Sequence, residues 1–505
     1  MRVPALAAAC LLTITGAHAQ DFSAPPAPAA DGAVVAIWSQ IVGPGPADGD
    51  PPAMELRFVV RGADEAACAR YAIATEGADD GIAPSARPRA NPDPAALPVT
   101  VCAAPMDGDW TAVRLVPAGA GEDAPKVMIA DAMGPTAVEA AVPGPHRFGR
   151  RHTDANGDPA FHMVALGDTG CRGAPQQDCA TDWKLAEIAT SAAALAPDLV
   201  VHVGDYRYFE EGQSPDTWAY WLQDFLRPAR GLLTDAPWLL VRGNHEKCSS
   251  GWYGVGYTYL FGPTGEDACA RDGFATSHFD VAPAGAPELT HRFVLIDTAN
   301  DRSPDLQGEF QAAIALTRAD TWWVTHIPPV NLLRYSEHSD DKEITNTGDP
   351  GVAAALDAAI KAHGAPLCAE ASPVARRCAP SVLLHGHEHL FQMIDFAPGT
   401  DPATVNADEA WPQVVIVGHG GVELYQSGLA GGSPCMSGFH LPGTGPEPIE
   451  GIVRSRSENG FVLWTRSAAT RGEPSGWAMS ARGADGAVWT LSDDAPDPCL
   501  PANDP

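Results

Sequence analysis

The pattern of apolar and polar positions changes character near residue 150. Upstream of it, apolar residues come in short runs without a helical period: Met54–Val60, Val99–Cys102, Trp110–Val116 and Lys126–Ala130. Gly, Pro and Asp separate these runs, which is the punctuation of short antiparallel strands, and residues 51–150 read as a small β-sandwich. After the basic stretch Arg147–His152 the pattern becomes strands alternating with helices. Thr181–Ala196 carries Trp183, Leu185, Ile188 and Leu195 at helical spacing and stops at Pro197. Ser214-Pro215 opens a second helix, with Pro at its first position and Trp218, Trp221, Leu222 and Phe225 behind it. Such alternation implies βαβ units and largely parallel strands, so residues 151–505 read as one α/β domain. Toward the end, Val414–Val417, Phe461–Thr465, Trp477–Ala481 and Ala487–Leu491 return to strand character and are expected to complete a second sheet.

The amino terminus follows a different logic. Arg2, the apolar run Val3–Ile14 and Ala17-His18-Ala19 have the layout of an export signal with a small-x-small cleavage site, so residues 1–19 are set aside from the fold. Cys10 lies inside the apolar run and lacks the surroundings of a lipid-anchor site. Residues 20–50 read as an Ala/Pro/Gly-rich leader around one strand, Val34–Gln40. No later apolar run is long enough to span a bilayer. The expected address is therefore secreted or periplasmic.

Cysteine usage agrees. Of 11 cysteines, ten remain once Cys10 is removed, and an even number in an exported chain reads as disulfides. Nearest-neighbour pairing gives 68–102, 171–179, 248–269, 368–378 and 435–499, although spacing alone does not fix the connectivity. The formal net charge of −31 argues against nucleic acid or an anionic membrane as partner, since both demand a basic face.

Five short segments carry the chemistry: Gly167-Asp168-Thr169-Gly170, Gly204-Asp205-Tyr206-Arg207-Tyr208, Gly243-Asn244-His245-Glu246, Thr325-His326-Ile327-Pro328 and Gly386-His387-Glu388-His389. Each ends an apolar run. In an α/β sheet the carboxyl ends of neighbouring strands are where distant pieces of chain converge on one ligand. Two Asp, an Asn, a Tyr and several His meeting there would make a two-metal centre suited to phosphate-ester hydrolysis. His387 and His389 are two apart, so an extended segment would turn both rings to one face and Glu388 away. Glu246 reads as a support for His245. His202 and His385 read as core residues; His419 has a place at the rim of the site as its alternative.

This series of motifs resembles the purple acid phosphatase branch of the calcineurin-like metallophosphoesterases over about Phe161–Val422. Thr169-Gly170 follows Asp168 where most of the superfamily supplies a histidine, and that branch compensates with the tyrosine of GDxxY, here Tyr208. Trp323 stands where the branch often has Val, a difference of packing. The resemblance implies a four-layer α/β/β/α sandwich preceded by a fibronectin-like β-sandwich. It implies Fe(III) held by Asp168, Tyr208 and His389, and a divalent ion (Zn, Fe or Mn) held by Asn244, His326 and His387, with Asp205 bridging. His245 would protonate the leaving alcohol while a metal-bound hydroxide attacks phosphorus in line. His338 is a candidate substrate contact. Two carboxylates and a phenolate contribute about −3 against about +5 from the metals, so the centre would attract an anion despite the acidic surface. The expected activity is phosphomonoester hydrolysis. The alternatives are a phosphodiesterase built on the same centre and, from another class, a non-catalytic surface-binding protein.

Overall fold

The computed structural model describes residues 31–491 except 47–49, 78–80, 83–84, 121–124, 131–137, 174, 209–216, 249–253, 264–268, 270–272, 332, 335–343, 346–347, 370–376, 397–410, 426–434, 440, 444–448 and 473–474. The leader over 1–19, His338, Ser214-Pro215 and Cys499 lie outside the described residues. Among those described, no helix is long and apolar enough to cross a membrane.

Two large sheets face each other. The first runs in the order 478–483, 460–466, 159–166, 199–202, 238–240, 34–43, 53–61, 99–105, 87–88, with 152–153 paired beside 159–166. Its members from 159–166 through 199–202 and 238–240 to 34–43 are parallel. The second runs 277–281, 291–295, 321–324, 382–385, 413–417, 391–396, 449–456, 435–439, with four parallel strands from 291–295 to 413–417. Alternation along each strand builds the layers. Phe161, Met163 and Ala165 face the second sheet, whose Phe293, Trp322, Val324 and Leu384 meet them in one core. Val164 and Leu166 point outward beneath Leu185, Ile188, Trp221 and Phe225. On the far side Val294, Trp323 and Leu383 pack under Phe310, Leu356 and Ile360. The result is the expected four-layer α/β/β/α sandwich with an all-β region in front. Trp323 is fully buried there and donates to Thr317 Oγ1 at 2.7 Å, so its difference from Val is absorbed in packing.

Four placements differ from the sequence expectation. The strands 460–466 and 478–483 join the first sheet rather than the second: Phe461–Thr465 do run as a strand, but antiparallel to 159–166 on the edge left open there. Residues 487–491 make only an isolated bridge at Val488. The strand at 34–43, read as part of a leader, is an inner strand of the first sheet, parallel to 238–240 and antiparallel to 53–61. The smaller sheet of the N-terminal region, 141–143, 110–117, 71–77 and 81–82, is hydrogen-bonded separately and packs Ile73, Val113 and Leu115 against Val34, Ile37 and Phe58 of the first. Helix 185–193 begins after Trp183, whose indole instead donates to Thr169 O at 2.7 Å.

Four disulfides follow the nearest-neighbour pairing: Cys68–Cys102, Cys171–Cys179, Cys248–Cys269 and Cys368–Cys378. The middle two clamp loops that leave the strand ends on either side of the candidate site.

Candidate metal centre

The carboxyl ends of strands 159–166, 199–202, 238–240, 321–324 and 382–385 meet at one place, and the five motifs leave from them. The turns are tight enough to force left-handed backbone on residues other than glycine. Asp168, Asp205 and His387 have φ of 56°, 58° and 71°, three of the five such residues described, at a cost on the order of 1 kcal/mol each. Clustering of such strain at one spot marks a site whose side-chain directions matter more than local comfort. Gly204 has φ of 105°, and a Cβ there would lie 2.5 Å from His326 Nδ1. Only glycine lets the two loops close in this way.

Two carboxylates, Asp168 and Asp205, are buried side by side. Around them stand two groups of donors. In one, Asn244 Oδ1 lies 2.8 Å from both His326 Nε2 and His387 Nδ1, and His326 Nε2 is 3.3 Å from Asp205 Oδ1. Asp205, His326 and His387 offer ligand atoms all within 4.8 Å of one another. His326 Nδ1 donates to Val203 O at 2.7 Å, which commits Nε2 to the site. In the other group Tyr208 donates to Asp168 Oδ1 at 2.8 Å and His389 Nε2 is 3.8 Å from the same oxygen. All seven residues expected as ligands from the motifs therefore come together. His245 joins them with Nε2 4.0 Å from Asp205 Oδ2 and its ring 4.6 Å from that of Tyr208. Asn244, His245 and His387 are the partly exposed members and line the open side.

The electrostatics fit a pair of cations. Burial pushes Asp168 up to about 6 despite His326 and His389 beside it. Burial opposes ionisation of Asp205 as well, but the charges of His326 and His245 outweigh it and hold that carboxyl well below the usual range. His326 is the converse: burial would lower it, yet Asp205 raises it to about 9. Burial takes His387 to about 3 and His245 to about 4, leaving neutral imidazoles with lone pairs to share. Burial and Asp168 push the Tyr208 phenol well above its ordinary value, so without metal it is a hydrogen-bond donor. Oxygen and imidazole donors converging on two buried carboxylates suit Zn²⁺, Fe²⁺, Mn²⁺ or ferric iron. Asp205 stands with His326 and His387 in the first group and shares the buried floor of the site with Asp168.

Supports differ from expectation in two respects. Glu246 does not hold the His245 ring; its carboxylate accepts from the backbone N–H of Asp205, Tyr206 and Gly243 at 3.0–3.1 Å, welding two motif loops together. The segment 386–389 is not extended, since His387 is left-handed, and the convergence of its two histidines comes from that turn. Glu388 does point away, bonded to Asn331 Nδ2. His202 and His385 are core residues paired with Thr169 and Thr325. His419 is fully buried against Phe391 and Trp489, so it is no rim residue. The same loop instead delivers Glu423 and Tyr425, which sequence reading missed: Glu423 meets Arg172 and Tyr425 stacks on His389. The signal available was the strand end at Val417 followed by Gly418 to Gly421, the layout of the other motifs.

A two-sheet α/β sandwich with Asp, Asn, His and Tyr converging at its strand ends defines a metal-dependent phosphoesterase. Residues 161–391 match the calcineurin-like phosphoesterase family, so this stretch of the chain is a metallophosphoesterase domain. The fold is similar to that of a purple acid phosphatase from yellow lupin (Lupinus luteus) seeds, with a TM-score of 0.55 and 14% identity over 90% of this chain and 73% of that one. A structure of PhoD aligns over 93% of this chain and 90% of its own at 12% identity, with a TM-score of 0.48. At such identities the lupin enzyme's likeness is one of fold. No curated protein matches the sequence.

Proposed function

We propose that the protein is an exported, purple acid phosphatase-like enzyme that hydrolyses phosphomonoesters with two metal ions. The observation that carries this reading is the convergence of Asp168, Tyr208 and His389 on one side of Asp205 and of Asn244, His326 and His387 on the other. The first group, with its phenol, suits Fe(III); the second suits a divalent ion. Bound there, the metals supply Lewis acidity toward the phosphate oxygens and activate the water that attacks phosphorus.

The chain's own residues do the rest. Asp205 holds the two halves of the site at a fixed spacing. Tyr208, which donates to Asp168 in the absence of metal, would hold a ferric ion as its phenolate. His245 stands at the open side, where its imidazole reaches the phosphate and delivers a proton to the leaving alcohol oxygen. Export rests on the leader pattern over 1–19 and on the four disulfides.

Metal analysis of the purified protein, followed by a panel of mono- and diesters with the metal-loaded enzyme, tests the reading. About two ions per chain and higher kcat/KM on monoesters are expected. A preference for diesters moves the assignment to a phosphodiesterase, and no bound metal after reconstitution removes the catalytic reading.

A further inference from the structure

His389 is held by two groups outside the ligand set, Tyr425 and Glu423. The ring of Tyr425 stacks on it with centroids 4.2 Å apart and planes at 21°, and the Tyr425 N–H donates to His389 O at 2.8 Å. Nε2 faces Asp168, while Nδ1 faces Glu423 Oε1 at 3.7 Å. Among the described residues Nδ1 has no hydrogen-bond partner, although it is buried. An imidazole gives a metal only the nitrogen that carries no proton, so the partner of the other nitrogen decides which one that is.

Glu423 is itself fixed. Arg172 Nη1 donates to its Oε1 at 2.5 Å, and the guanidinium lies 5.9 Å from the centre of the Tyr208 ring. Arg172 sits in the loop closed by Cys171–Cys179. Gln177 of that loop accepts from Arg172 N–H at 3.2 Å and donates to Gly421 O at 2.7 Å, so the loops bearing Arg172 and Glu423 are joined directly.

We propose that Glu423 is the positioning residue of His389: its carboxylate, locked by Arg172, accepts the Nδ1 hydrogen and so presents Nε2 to the metal shared with Asp168 and Tyr208. An approach of about 1 Å brings the 3.7 Å separation to hydrogen-bond length. The inference rests on the reading of Asp168, Tyr208 and His389 as one metal's ligands. A different role, simple counter-ion to Arg172, would need the charge of Glu423 and not its accepting oxygen.

That contrast sets the experiment. Glu423→Gln keeps an acceptor and loses the charge; Glu423→Leu loses both at similar volume. Full-length protein is loaded with iron and zinc, and the affinity of each ion is measured by chelator competition, with the iron absorption band as a second readout. Glu423→Leu is expected to weaken one ion, the iron, by about 10- to 100-fold and to shift its band, while the other changes by about threefold or less. Glu423→Gln is expected to stay within about threefold of wild type for both. Wild-type affinity in Glu423→Leu overturns the proposal, as does a loss of tenfold or more in Glu423→Gln, which remains decisive if the leucine variant does not fold. A wild-type chain that binds no metal overturns the metal-centre reading and the proposal with it, a result distinct from either variant failing alone.

Discussion

Around Asn244, His326 and His387 the candidate ligands already touch one another, and their directions are fixed by main chain: Val203 O behind His326, a left-handed turn at His387, and a loop at Asn244 whose neighbours hang on Glu246. Around Asp168, Tyr208 and His389 the spacing is looser, and the backing comes from side chains on two other loops, Arg172, Glu423 and Tyr425. One half of the site is thus organised by the turns that make the fold, and the other by contacts between residues far apart in sequence. A backbone-built half resists substitution at its periphery, whereas a side-chain-built half can be tuned or lost through residues that never meet the ligand.

In the proposed reading Asp205 bridges both halves, so Asp205→Ala is expected to break the comparison outright. Both ions should be lost and turnover should fall to background, a drop of more than ~10⁴-fold, checked by metal analysis beside a phosphatase assay. Next in size is His245→Ala, expected to retain both ions and lose about 10²- to 10⁴-fold in kcat. Unchanged turnover would remove His245 from the mechanism. Tyr208→Phe acts on the side-chain-built half alone. The oxidised iron-loaded protein is expected to be coloured by charge transfer from the phenolate, and the variant colourless while still holding metal. Iron-loaded, active wild type with no visible band would refute Tyr208 as a ligand.

The smallest effect sharpens the other half. His326 is raised to about 9 by Asp205, so below that pH it carries a proton that metal must displace. Affinity for the divalent ion is expected to rise by up to about tenfold per pH unit between pH 6 and about 9, and to level off above it. Metal loading in weak buffer at pH 7 should release protons, measurable with an electrode. A pH-independent affinity over that range would show that binding displaces no proton from His326.

Much of the site was legible because each motif is local: an apolar strand, a glycine, then a donor. The strand-end rule brought Asp168, Asp205, Asn244, His326 and His387 to one point without any knowledge of which strands adjoin. What stayed hidden depends on distance along the chain. Arg172 and Glu423 form one ion pair across 251 residues, and neither belongs to a motif. Strand 460–466 has the composition of any buried strand, so nothing within it says that its partner is 159–166 rather than 413–417. The left-handed turn at His387 was missed for another reason: histidine rarely adopts it, and only the pull of the surrounding site makes the conformation hold.

The strand at 34–43 has a consequence for the order in which the protein can be assembled. Gln40 pairs with Trp238, so a segment made early must wait for a neighbour about 200 residues later before the first sheet can close. Until then its eight buried positions, Val34–Ile41, have no sheet to lie in on that side. A chain begun at residue 151 would not be a catalytic domain relieved of an appendage. It would present 238–240 as a bare edge and leave Trp238 and Phe261 without Trp38 and Gln40 beside them, the state in which sheets recruit one another.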